Sequence, residues 1–174
     1  RQVFDSRGNP TVEAEVHVKN NSASAICPSG ASTGTFEAYE KRDKNNKRYL
    51  GKSVFIAVNL VNSKISKKLK GQNVHNQERI DTLLINLDGT RQKTNLGANA
   101  MLAVSMAVKK LSAKVKKLPL YKTFSVKKNF QLPYPLMNII NGGAHANNGL
   151  RIQEFMIRPD RAKSFSEAMR ICFI

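Results

Sequence analysis

An α+β chain, with strands first and helices after them, is what the order of hydrophobic periods predicts. Residues 11–18, "TVEAEVHV", alternate strictly between apolar and polar, as a half-buried strand does. From residue 52 the apolar residues recur every three or four positions, which places them on one face of successive helices. After Pro119 short apolar runs return, "LPYPLMNII" (132–140) and "IQEFMI" (152–157), so a second region opens a buried sheet and stops there.

Each element follows from its own residues. Residues 1–5 read as the tail of a strand, and "DSRGNP" (5–10) makes a tight turn on its glycine and proline. Val12, Ala14, Val16 and Val18 face one side of the next strand, with Glu13, Glu15 and His17 on the other. "KNNS" (19–22) turns the chain, and "ASAIC" (23–27) pairs back. Val54, Val58, Val61, Ile65 and Leu69 line a helix over 52–69. Ile80, Leu83, Leu84 and Leu87 line a second, capped by Asn76 and stopped by "LDGT" (87–90). The third and longest carries Val104, Val108, Leu111, Val115 and Leu118 as its stripe, and Pro119 ends it. Lys109, Lys110, Lys114, Lys116 and Lys117 surround that stripe and read as a solvated face. Residues 122–131 form a linker. Beyond it "NGGAHANNG" (141–149) is a glycine loop between two strands, and Ser164 with Glu167 makes a capping box for a helix over 164–171.

Bulk properties exclude several classes. A chain of 174 residues suffices for one domain or two small ones. The longest apolar run, "AMLAVSMAV" (100–108), is too short to span a bilayer, and no charged-then-apolar segment reads as a secretory leader. Cys27 and Cys172 lack metal-type spacing, as in a reduced cytosolic protein. The formal charge of +17 pulls another way, because a basic surface attracts nucleic acid or acidic partners. Yet the 19 lysines are spread along the chain without the interleaved aromatics that stack on bases. A solvated lysine-rich surface follows. A non-catalytic basic binding protein, holding nucleic acid or an acidic partner, stands as the competing class.

Three stretches carry possible chemistry. "PSGASTG" (28–34) has five residues of seven that are Gly, Ser or Thr. Small residues allow close approach and hydroxyls supply hard oxygens, so the loop reads as a turn, a phosphate cradle or a mobile flap carrying a metal ligand. "GKS" (51–53) is an exposed helix start rather than a phosphate loop, because Asn46 stands where a glycine is needed. His145 sits behind two glycines at a strand end, and Glu154 lies in an apolar strand, where an ionised carboxylate needs a partner. Each alone reads as structural. Together, at the mouth of one sheet, they favour a site.

"DSRGNPTVEAEV", "PSGASTGTFEAYEKRD", "LDGT", "LGANAMLAVSMAV", "LPLY" and "NIINGGAHANNGLRIQEFMIRP" resemble the enolase (phosphopyruvate hydratase) family, in family order and over nearly the whole chain. The resemblance implies an N-terminal α+β domain over 1–127, a three-stranded antiparallel sheet followed by helices. Residues 128–174 would then be the truncated start of an α/β (TIM-type) barrel, far short of the roughly 250 residues a complete barrel uses. A fragment of an enolase, beginning inside its first strand, is the expectation.

The implied reaction is reversible dehydration of 2-phosphoglycerate to phosphoenolpyruvate in the cytoplasm by a homodimer or higher homo-oligomer with Mg2+, with no membrane partner. Family sites of this kind use a Lys or His base and magnesium to stabilise a dianionic enediolate. By resemblance, the lysine base and the main metal carboxylates lie on later barrel strands, so this chain alone is expected to be inactive. Gly30, Ala31, Ser32, Thr33 and Gly34 match the mobile loop, with Ser32 giving oxygen ligands to the second magnesium. His145 matches the residue near the substrate phosphoryl group. Gln153 and Glu154 match the pair at the carboxyl and hydroxyl end, Glu154 assisting the leaving hydroxide. Arg7 matches an arginine at the dimer interface. The chain departs from the family at Ser53, usually glycine, at Asn147 and Arg151, often acidic, and at the last three residues, "CFI".

Overall fold

The computed structural model describes residues 1–30, 33–45, 47–125 and 129–173. The chain divides into two compact units, Arg1–Val126 and Lys127–Ile174.

In the first unit β1 (Gln2–Phe4), β2 (Pro10–Val18) and β3 (Asn21–Cys27) form an antiparallel sheet in the order β1-β2-β3. The alternation of β2 does what its pattern predicts. Val12 and Ala14 are fully buried, and Val16 and Val18 pack at the margin of the same core. The turn after β2 is tighter than "KNNS" suggests. Lys19 takes a positive φ of 50°, and β3 resumes at Asn21.

Helices cover that sheet face. The stretch expected as one helix over 52–69 is α1 (Phe55–Leu60), a π turn (Val61–Ile65) and α2 (Ser66–Leu69). Ser53 corrects the expectation of an exposed helix start: it is fully buried, and its hydroxyl donates to Asp43 Oδ2 at 2.5 Å. Asp43 in turn accepts from the Phe55 and Ile56 amides at 3.0 and 2.8 Å, so a residue twelve positions upstream caps α1. Helix α3 (Gln77–Asp88) starts on Asn76, whose side chain accepts from the Arg79 amide, and ends on left-handed Gly89 (φ 70°).

Helix α4 (Ala98–Val115) lies across the sheet through Ala100, Ala103, Val104, Ala107 and Leu111, whose small side chains allow close approach. Leu118 does not continue the stripe; it is 44% exposed. The helix closes first, with Leu118 N–H on Ala113 carbonyl, Lys117 N–H on Lys114 carbonyl and Lys117 left-handed at φ 54°. That Schellman closure turns the chain off the helical face. Of the five lysines read as a solvated face, Lys110, Lys114, Lys116 and Lys117 are exposed and Lys109 is half-buried, and three of them also satisfy backbone. Lys110 and Lys114 donate to the Ser24 and Ser22 carbonyls of β3, and Lys109 donates to the Thr123 carbonyl while lying 4.9 Å over the Phe124 ring.

The second unit pairs β4 (Met137–Asn141) with β5 (Glu154–Ile157), antiparallel with a bulge between Asn138 and Ile140. Helix α5 (Phe165–Phe173) follows, its Glu167 amide donating to Ser164 Oγ at 3.1 Å. The expectation of a buried sheet is corrected. Ile139 is 57% and Phe155 42% exposed, because two strands and one short helix cannot enclose a core. Among the described residues of this unit only Gly142, Pro159 and Ala168 are buried. No described helix is long and apolar enough to cross a membrane.

Candidate functional site

The sequence-predicted residues fall in two places, one in each unit. In the first unit the "PSGASTG" loop leaves β3 directly. Thr11 Oγ1 donates to the Cys27 carbonyl at 2.5 Å and pins the exit. Ala31 and Ser32 lie outside the described residues. Gly30, Thr33 and Gly34 are exposed, and Gly34 exchanges bonds with Glu37, amide to carboxylate at 3.0 Å and carbonyl to amide at 3.1 Å. Arg7 reaches its own chain's loop, where its Nη2 donates to the Ser29 and Gly30 carbonyls.

The chain beyond this loop is strapped to the start of α4. Asn99, 3% exposed, accepts from the Lys41 amide at 3.1 Å and donates to the Lys41 carbonyl at 3.0 Å, as a neighbouring strand would. Gly97 makes room, since a Cβ there would lie 2.5 Å from Lys41 Cβ. Just before it, "LDGT" performs a second task. Burial pushes the Asp88 carboxyl up, but hydrogen bonds from the Thr90 hydroxyl and from the Leu96 and Thr90 amides outweigh it. They hold Asp88 below its ordinary value.

In the second unit the glycine loop folds back on Gly142. Its amide donates to the Gln153 carbonyl at 2.9 Å, and the Gly143 amide donates to the Leu150 carbonyl at 2.7 Å. A Cβ on Gly142 would lie 2.6 Å from Leu150 Cβ and closer still to the Ile152 carbonyl, so only glycine fits. The result is a three-residue relay. His145 Nδ1 is 2.9 Å from Glu154 Oε1, and His145 Nε2 is 3.0 Å from Gln153 Nε2. In the neutral ring with the proton on Nδ1, Nδ1–H donates to Glu154 and Nε2 accepts from the Gln153 amide. Glu154 thereby has the partner its apolar strand demands. An open hollow of about 560 Å³ lies beside the relay, lined by Gly143–His145, Asn147 and Arg151 among others. The Arg151 guanidinium on its wall suits an anion.

Sequence reasoning missed the groups that hold the first loop, Ser29, Glu40 and Arg42. The signal for them is the dense run of opposite charges in "YEKRD" (39–43), a few residues after the loop.

Comparison with known proteins sets these sites in a family. The family model "Enolase, N-terminal domain" matches residues 1–124, and "Enolase, C-terminal TIM barrel domain" matches 129–173. The "Enolase" of Pelagibacter ubique is 82% identical over 174 residues, covering all of this chain and 42% of that relative. Those of Methanococcus maripaludis and Methanococcus vannielii are each 56% identical over 173 residues, covering 99% of this chain and 40% of each relative. The chain spans about two-fifths of the length of these relatives. Matched end to end by both domain models, the chain belongs to the enolase family, with the three-stranded sheet and helices of its N-terminal domain followed by the start of its barrel.

Proposed function

We propose that the full-length protein carrying these residues is a cytoplasmic, homodimeric phosphopyruvate hydratase, reversibly dehydrating 2-phosphoglycerate to phosphoenolpyruvate. The observation that carries this is 82% identity to an enolase along every residue of the chain. The relay agrees in kind with the chemistry. Glu154, oriented by His145, is a carboxyl group held at a strand end, where in its protonated form it can give its proton to a departing hydroxide and be left as the carboxylate that His145 Nδ1–H contacts. Gln153 fixes the far side of the imidazole, and the basic hollow beside it suits the phosphoryl group.

Magnesium belongs to the proposal. The loop hydroxyls are hard oxygen donors of the sort this ion takes. Among the described residues, however, no group of three His, Cys, Asp or Glu side chains could hold a metal. Ser32, which lies outside the described residues, would supply oxygen ligands, and by the family resemblance the carboxylates would come from later barrel strands of the full-length protein. Bound magnesium neutralises the charge that develops on the substrate carboxylate. The domain boundary near 127–128 and a subunit-interface role for Arg7 are parts of the same proposal.

The experiment is a turnover assay on 2-phosphoglycerate, with and without magnesium. The full-length protein is expected to form phosphoenolpyruvate only with the ion, and the 174-residue chain by itself to form none. No product from the full-length protein at any magnesium concentration would overturn the proposal. Product from the short chain alone would remove the requirement for groups outside it.

A further inference from the structure

The glycine loop between β4 and β5 is tied at its far half as well as at its base. The Gly142 and Gly143 amides hold the base, on the Gln153 and Leu150 carbonyls. Beyond His145 the backbone bonds are local. The His145 amide donates to the Gly142 carbonyl at 3.0 Å and the Asn148 amide to the Ala146 carbonyl at 3.1 Å. These curl the chain but reach neither strand. Among the described residues, the relay aside, a single side chain ties the loop after His145 to its two ends, and it is Asn148. Its Nδ2 donates to the Asn141 carbonyl at 2.8 Å, and its Oδ1 accepts from the Leu150 amide at 3.2 Å. Asn141 is the last residue of β4, and Leu150 stands on the way back to β5. One carboxamide thus bridges the entrance and the exit. Its anchor is held in turn, because the Asn141 side chain accepts from Asn138 Nδ2 over the bulge of β4.

We infer that Asn148 is a positioning residue, which keeps the His145 imidazole between Glu154 and Gln153 by closing the loop from Asn141 to Leu150. It rests on the function proposed above, in which that relay serves the dehydration. Both ring nitrogens of His145 are engaged at once, at 2.9 and 3.0 Å, so the ring must be right in place and in plane. Such bonds weaken steeply with misalignment. Glycines at 142, 143 and 149 lend the loop little stiffness, so the place of the ring comes from how the loop is closed. A carboxamide suits the task because it donates and accepts together, whereas a carboxylate only accepts and an alkyl group does neither. Asn148 is exposed, so water replaces its lost bonds and the fold loses little. What those bonds set is the path of the chain past His145.

The test uses the full-length protein and needs no metal ion. Diethyl pyrocarbonate modifies an unprotonated imidazole nitrogen, and its rate at His145 is followed by mass spectrometry. In the relay that nitrogen is covered by Gln153, and the His145 side chain is only 23% exposed. His17, 66% exposed in the first unit, is the internal reference. Asn148→Ala removes both bonds and is expected to raise the His145 rate, relative to His17, by about tenfold, the scale of one to two hydrogen bonds. Asn148→Asp keeps an acceptor for Leu150 but sets a carboxylate against the Asn141 carbonyl, and is expected to raise it by at least about fivefold. A contact that merely stabilises the fold would lower the melting temperature and leave the His145 to His17 ratio alone. An unchanged ratio in Asn148→Ala overturns the inference. Should that variant fail to fold, an unchanged ratio in Asn148→Asp is equally fatal. Turnover on 2-phosphoglycerate, read separately, tests the function on which the inference rests. A raised ratio with full turnover upholds the positioning and removes the relay from the dehydration, and a wild type without turnover counts against the enolase function while the ratio still decides for Asn148.

Discussion

Two glycines a few residues apart in the same loop have opposite demands on them. Gly142 is buried, with no space for a methyl group beside Leu150 and Ile152, whereas Gly149 has nothing within 4 Å of its missing Cβ and only its φ of 76° to protect. Gly142→Ala must push the loop open, at about 1–3 kcal/mol for overpacking, and carry His145 away from Glu154. In the full-length protein we expect it to cut turnover by about a hundredfold or more, the scale of a displaced proton-transfer group. Gly149→Ala should cost only about 1 kcal/mol of backbone strain and keep most of the activity. Thermal melts and steady-state kinetics on the pair check this. Equal kinetic losses would mean that Gly142 does not set the position of His145.

Helix ends hold two carboxylates, the half-buried Asp43 and the buried Asp88. Asp43 caps α1 from outside the helix, and Asp88 ends α3 while gripping the amides of Thr90 and Leu96. Asp88 is 1% exposed, so a lost acceptor there is not replaced by water. Asp88→Asn keeps one oxygen and turns an NH₂ toward an amide donor, which we expect to destabilise the full-length protein by about 1–3 kcal/mol at neutral pH. Folding lowers the Asp88 pKa below 3.8, so its contribution is complete above that value and drains away as pH falls through the lower folded one. The gap between wild type and Asp88→Asn should therefore narrow below about pH 4. A gap that stays constant to pH 2 in denaturant titrations would show that the charge is not what stabilises the corner.

The same element scale shows what could be read from the sequence. Strand β2 is legible from its own alternation, and the Asn76 and Ser164–Glu167 caps because their partners lie within four residues. The residues of the relay are legible one by one, and their meeting through a loop folded on Gly142 follows from spacing so short that little else is possible. The π turn, the burial of Ser53 and the lysine bonds to β3 are not legible. Each depends on a partner ten or more residues away, or on packing that local periodicity does not record.

At the scale of the molecule the +17 charge is the property least like an ordinary metabolic enzyme. Lys109, Lys110 and Lys114 keep their charge but donate to backbone carbonyls, which fixes where these three cations stand. We expect binding to nucleic acid to be sequence-independent, with dissociation constants no tighter than about 10⁻⁶ M at physiological salt, and to weaken steeply as salt rises. Fluorescence anisotropy with unrelated oligonucleotides across a salt series checks this. Tight binding to one sequence at physiological salt would favour the basic binding protein instead.

The lysine bonds between α4 and β3 also set a schedule. Ser24 and Lys110 are 86 residues apart, and Ser22 and Lys114 are 92. Translation proceeds from the N-terminus at about 5–20 residues per second, so the sheet leaves the ribosome on the order of ten seconds before the helix that covers it. For that interval the apolar face of Val12, Ala14 and Val16 lacks the longest of the helices that cover it, and the Ser22 and Ser24 carbonyls lack their lysine partners. The full cover of the sheet can form only once α4 has emerged.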